Sequence, residues 1–179
     1  MKSLAQRLEG SLVLVSCEGG AEDALIRILL EDNRLCFCEN DVIDITRARK
    51  HDDIERSYLG FDYDQPVSLL YLTDSLRSKF KLGTLYQQAC TIFRICTRPE
   101  IEILTVLNEN RLKDFQKSRK KPSIYCKENL GMRNVKQPEA VRAYWSAETL
   151  VGSLMEYRRI HRFEKGELCL ADLLASRTS

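Results

Sequence analysis

Apolar positions in this chain fall into short unbroken runs and longer stretches of helical spacing, and the two kinds take turns. Ser11 to Cys17 (SLVLVSC) is rich in Leu and Val and is stopped by Glu18, Gly19 and Gly20. Its length and punctuation predict a buried strand. Ala24, Leu25, Ile28 and Leu29 then recur at helical spacing, predicting a helix from Ala21 to about Asp32. Leu35 to Cys38 and Val42 to Ile45 read as a second strand region, broken by Glu39-Asn40-Asp41. A charged helix is expected over Arg47 to Tyr58, with a loop from Gly60 to Pro66. Val67 to Thr73 (VSLLYLT) and Thr91 to Thr97 (TIFRICT) predict two further strands. Pro99 suits a first helical turn, where its missing N–H costs nothing, and that helix would run through Leu112 toward Phe115. Beyond Pro138 the pattern is helical, from Ala140 to Ile160, with a short segment around Leu168 to Leu174.

Strands alternating with helices predict an α/β fold with a mostly parallel sheet covered by helices. The expected organisation is one α/β domain over residues 1–136 and a helical C-terminal extension over 137–179 packed on it. The 179 residues suit one domain of ordinary size, and 44% hydrophobic content supplies a core. No apolar run approaches the ~18 residues of a membrane span. Glu9 interrupts the stretch where a secretory signal would need apolar residues, so a cytoplasmic location without membrane contact is expected. The seven cysteines then read as reduced thiols, several on apolar strands. Neither His51 nor His161 has cysteine neighbours at zinc-finger spacing.

Candidate chemistry gathers at the strand ends, where open α/β sheets bind ligands. Glu18 follows the first strand, Asp74 follows Val67 to Thr73, and Glu100 with Glu102 follow the last. If the strands are neighbours, these carboxylates share a rim and offer the hard oxygen ligands that Mg²⁺ takes. Each acid also has a plain structural role open to it. Acidic residues in first helical turns complement the macrodipole by ~0.3–1 kcal/mol, which covers Glu22, Asp23, Glu100 and Glu102. Asp74 could cap a helix over Ser75 to Lys79. Gly19-Gly20 could cradle an anion, although no Lys-Ser or Lys-Thr follows as in a P-loop.

The stretch from Val13 to Asp23, strand–Glu18–Gly–helix, resembles the first motif of Toprim-fold proteins, and within them the small RloB-like and OLD-like nucleases of defence-associated type. Pro99-Glu100-Ile101-Glu102 is similar to the Pro-x-x-Glu motif of RloB-like chains, with Glu102 at the motif's glutamate. The similarity covers approximately Leu12 to Lys127 as spaced motifs. It implies a nuclease or other phosphoryl-transfer activity dependent on Mg²⁺ (or Mn²⁺). Glu18 would be general base or metal-organising carboxylate, Asp74 and Glu102 ligands, and Lys127 a phosphate-neutralising lysine. The pattern departs after Asp74, where Ser75 and Leu76 stand and the second acid of Asp-x-Asp is missing; Glu100 or Asp64 would have to compensate. The alternative is a degenerate Toprim-like module that binds nucleic acid or a partner protein without catalysis. The partners in view are DNA or RNA and a protein such as an ATPase.

Charge sharpens this picture. The net of +2 conceals an acidic stretch, 17–64, at −7 and a basic one, 111–136, at +7. Lys117, Arg119, Lys120, Lys121 and Lys127 are the candidate nucleic-acid contacts, with Phe115 and Tyr125 among them either stacking bases or turned into the core. A solvated loop joining two helices would account for the same residues. Tyr144 and Trp145 are expected to pack, Arg158, Arg159 and Arg162 to form a solvated face, and Leu168 to Leu174 to cap the core or meet a partner.

Overall fold

The computed structural model describes residues 2–175; Met1 and 176–179, including the end of the expected C-terminal extension, lie outside the described residues. Four strands, β1 (Leu12–Ser16), β2 (Val42–Thr46), β3 (Val67–Thr73) and β4 (Cys90–Cys96), pair in the order β2-β1-β3-β4. Every pairing is parallel, so the fold is α/β with a parallel sheet flanked by helices. β3 is buried along its whole length, which explains its unbroken apolar run.

Side-chain alternation sends the strands' apolar residues into two cores. Val13, Val15, Leu70, Leu72, Phe93 and Ile95 face the larger one. It is closed by α1 (Leu4–Leu8), α2 (Gly20–Glu31), α4 (Ile103–Asn108), α7 (Pro138–Tyr144) and α8 (Ala147–Ile160). Leu14, Leu69 and Tyr71 face the smaller one, covered by Ile54 of the short helix α3 (His51–Ile54) and by Phe80 and Leu82. The β3–β4 connection crosses this second face without a helix, so Asp74 caps none and Ser75 to Lys79 run as turn and loop.

Several elements differ from the sequence expectation. Leu35 to Cys38 is not a strand; Leu35 makes one antiparallel bridge to Leu174, and Phe37 is a core plug. Residues 47–50 stay out of helix, because Ala48 accepts from the Ser16 hydroxyl (2.6 Å) and Arg49 donates to the carbonyl of Leu72 (2.5 Å). Helix begins only at His51, and Glu55–Leu59 forms a π turn. Pro99 follows a cis peptide bond and precedes rather than opens α4. The predicted helix toward Phe115 breaks at Asn110, whose φ of 55° is a left-handed conformation that Asn tolerates. It resumes as α5 (Leu112–Ser118). The helix expected over Ala140 to Ile160 is likewise two, parted at the extended Trp145, with Ser146 capping α8 through the Thr149 N–H (3.2 Å).

The basic stretch is not a loop. It holds α5 and α6 (Pro122–Asn129), locked by an edge-to-face pair of Phe115 and Tyr125 with centroids 5.5 Å apart. Tyr125 is 3% exposed, so it belongs to the core and stacks no base. Tyr144 and Trp145 pack edge-to-face as well, and Leu170, Ala171 and Leu173 are buried in the larger core. Among the described residues no helix is long and apolar enough to cross a membrane.

Candidate functional site

The chain leaves β1 toward β2 on one side, and β3 and β4 lie on the other, so the crevice beyond the carboxyl ends of β1 and β3 is a topological switch point. Glu18 and Asp74 stand at those two ends. The Asp74 N–H donates to a Glu18 carboxylate oxygen at 2.9 Å, tying the strand ends together across the crevice. A cleft of about 240 Å³ opens here, lined by Glu18, Gly19, Gly20, Glu22, Asp74, Glu100, Glu102 and Lys136. All four acids expected at the rim are therefore brought together. Asp64, the suggested substitute for the missing aspartate, precedes β3 and lies at the opposite end of the strand; it does not reach the cleft.

Two members of the site escaped the sequence reading. Glu22 was expected only to serve the α2 dipole. It accepts from the Gly19 N–H (3.0 Å) as a helix cap, and its side chain also faces the cleft. Lys136 was one charge in a basic run, yet its ammonium sits 3.7 Å from Glu100 and 4.0 Å from Glu102. The cap spacing of Gly19 and Glu22 is a signal that sequence carries; nothing local marks Lys136.

Glu100, Glu102 and Glu22 differ in how readily they ionise. Glu100 accepts from the Ser123 N–H at the start of α6 (3.0 Å). Burial opposes its ionisation, but Ser123, Lys136 and Lys121 outweigh burial and hold its pKa below the ordinary carboxylate range. Glu102 is 4% exposed, and burial pushes its pKa up to about 7, with Glu100 and Glu22 adding to the rise and Lys136 opposing it. Burial likewise raises Glu22, with Glu18 contributing. The cleft thus pairs exposed carboxylates at its lip with an interior one that can take or give a proton near neutral pH.

The basic residues divide. Lys127 lines a groove of about 280 Å³ with Ser123, Ile124, Arg133 and Lys136, and Lys136 joins that groove to the cleft. Lys120 is tied to Glu128 and Asn129, both at 2.9 Å, and Arg119 forms the left-handed turn between α5 and α6. Lys117, Arg119, Lys120 and Lys121 line neither the cleft nor this groove, although Lys121 is near enough to influence Glu100. The cationic wall beside the carboxylates comes from Lys127, Arg133 and Lys136. The Gly19-Gly20 turn is no open anion cradle: Glu22 takes the Gly19 N–H, and Pro138 covers Gly20.

Carboxylate oxygens are the right donors for Mg²⁺ or Mn²⁺, and Glu18 and Asp74 at the exposed lip are the residues that would hold one. Among the described residues, no three His, Cys, Asp or Glu side chains converge on one metal position, so Glu18, Asp74 and Glu102 share the cleft without forming a three-ligand group. Mg²⁺ asks for less, being commonly held by one or two carboxylates with water and phosphate oxygens. No protein-family model, curated protein or solved structure matches the chain.

Proposed function

We propose that the chain is a phosphoryl-transfer domain acting on nucleic acid, a divalent-dependent nuclease of Toprim-like kind. The observation that carries this is the carboxylate cleft at the β1/β3 switch point, continuous through Lys136 with the groove of Lys127 and Arg133. The parallel sheet with acids at its strand ends agrees with the Toprim resemblance. A bound Mg²⁺ or Mn²⁺ would supply an activated water and neutralise charge on the attacked phosphate. The chain's own part is to orient and to move protons. The Asp74 N–H fixes Glu18 at the lip, Lys127, Arg133 and Lys136 face the phosphates, and Glu102 exchanges a proton inside the cleft. The test is divalent-dependent cleavage of DNA and RNA panels by the native chain and by Glu18→Ala. Cleavage lost in the variant supports the assignment; equal activity in both removes Glu18 from it.

A second reading, a non-catalytic module that binds nucleic acid or a partner protein, is favoured by one observation. Lys136 already places a cation against Glu100 and Glu102, where a metal would otherwise be drawn. Calorimetric titration with Mg²⁺ separates the two. An isotherm that disappears in Asp74→Ala excludes the non-catalytic module.

A further inference from the structure

The second face of the sheet carries a groove that the cleft chemistry does not use. It measures about 510 Å³ and is lined by Arg49, Lys50, Lys79 and Lys81 over a floor of Tyr71 and Phe80. The floor is rigid: the two rings stack with centroids 4.4 Å apart, and both are buried. Arg49 is held just as firmly. Its guanidinium lies 3.9 Å from the Tyr71 ring centroid and donates to the carbonyls of Leu72 (2.5 Å) and Ser16 (3.4 Å). Those carbonyls are two residues upstream of Asp74 and Glu18, so Arg49 touches the two strand ends from the face opposite the cleft.

The charges of this groove are uncompensated. Among the described residues, no carboxylate lies within 4.0 Å of Arg49, Lys50, Lys79 or Lys81. The one acid in the lining, Asp52, is engaged by His51 at 2.8 Å. Four cations converging without partners on a groove favour a ligand that brings several negative charges in a row. A fixed arginine among exposed lysines suits a sugar-phosphate chain held without reading its bases.

Resting on the function proposed above, we propose that this groove is a phosphate-backbone site, holding the strand of nucleic acid that extends past the cleft onto the second face. The substrate is then gripped on both sides of the strand ends, by Lys127 and Arg133 on one face and by Arg49, Lys50, Lys79 and Lys81 on the other.

The experiment is anisotropy titration of a labelled single-stranded oligonucleotide of about 20 residues, in chelator, between about 50 and 200 mM salt. Lys79→Ala/Lys81→Ala is the variant of choice, because both side chains are exposed and unpaired. Its expected effect is roughly tenfold weaker binding and a salt slope shallower by about 1.4, for two lost contacts on a single strand. Unchanged affinity and slope, while Lys127→Ala/Arg133→Ala weakens binding, overturn the second-face site and leave the proposed function standing. No oligonucleotide binding by the native chain overturns both. Inorganic phosphate competing as well as the oligonucleotide overturns the backbone site in favour of a small-anion site.

Discussion

Gly20 and Pro138 touch so closely that a Cβ on Gly20 would lie 2.8 Å from Pro138 Cγ and 2.9 Å from its Cδ. The first residue of α2 must therefore be glycine if the first residue of α7 is to dock on it. The contact also sets Lys136, two residues before Pro138, against Glu100 and Glu102. A proline ring cannot swing away as a flexible side chain would, so Gly20→Ala forces the whole Lys136–Pro138 segment outward. We expect it to destabilise the fold by about 1–3 kcal/mol in urea unfolding. Nucleic-acid affinity should fall with it, whereas Gly152→Ala, in open space inside α8, should leave affinity unchanged and stabilise the fold by about 0.5–1 kcal/mol.

Arg98 and Glu167 form a two-pronged ion pair at 3.0 and 2.7 Å, with the Glu167 side chain 1% exposed. Burial disfavours the Glu167 carboxylate, but the Glu164 N–H, Arg98 and His161 overcome it and hold its pKa below the usual range. A depressed carboxyl stabilises the fold above its unfolded pKa, and that contribution is lost as pH falls through the folded value. Arg98→Ala leaves the carboxylate with only the Glu164 N–H and His161 and should cost about 1.5–3 kcal/mol at neutral pH. The deficit should shrink in acid, once Glu167 is protonated. A deficit independent of pH would remove the charge from the explanation.

Glu102 has the opposite sign. Its raised pKa favours the fold while the carboxyl is neutral, so stability is full below the ordinary glutamate range and declines until about pH 7. In the absence of divalent ions, Glu102→Gln should match the native chain at about pH 4. At pH 8 it should exceed the native chain by on the order of 3 kcal/mol, at ~1.4 kcal/mol per unit. Urea titrations at the two pH values check this.

All seven thiols are free, but only Cys38 is exposed. Burial pushes Cys90 and Cys96 up to about 11 and Cys126 and Cys169 up to about 12, and raises Cys17 and the half-buried Cys36 as well. A thiol-disulfide reagent should titrate Cys38 rapidly in the native chain and the rest only after unfolding. Cys38→Ser should abolish the fast phase.

Strand periodicity makes Glu18 and Asp74 legible in sequence, because each apolar run stops at its acid and strand ends are where open sheets bind. The parallel sheet is legible for the same reason. Lys136 is not, since its place depends on how α7 docks against Gly20, far away in the chain. The helix breaks at Asn110 and Trp145 are also hidden: the apolar spacing runs through both, and only the packing of α4 against α8 and α6 requires the turns. Residues 47–50 are kept out of helix, against their composition, by bonds to Ser16 and Leu72, partners that no local window contains.

The last described stretch closes the molecule like a clasp. Leu168 accepts from Cys96 beside β4, Leu173 accepts from Cys36, and Leu170, Ala171 and Leu173 fill the larger core between them. For a chain emerging from the ribosome, the central strand β1 is made early, while the apolar plug for its own core comes more than a hundred residues later. The larger core is complete only once this stretch is made, so part of that face of β1 and β3 stays open in the unfinished chain. Apolar surface left open in that interval is the kind that promotes aggregation before folding is complete.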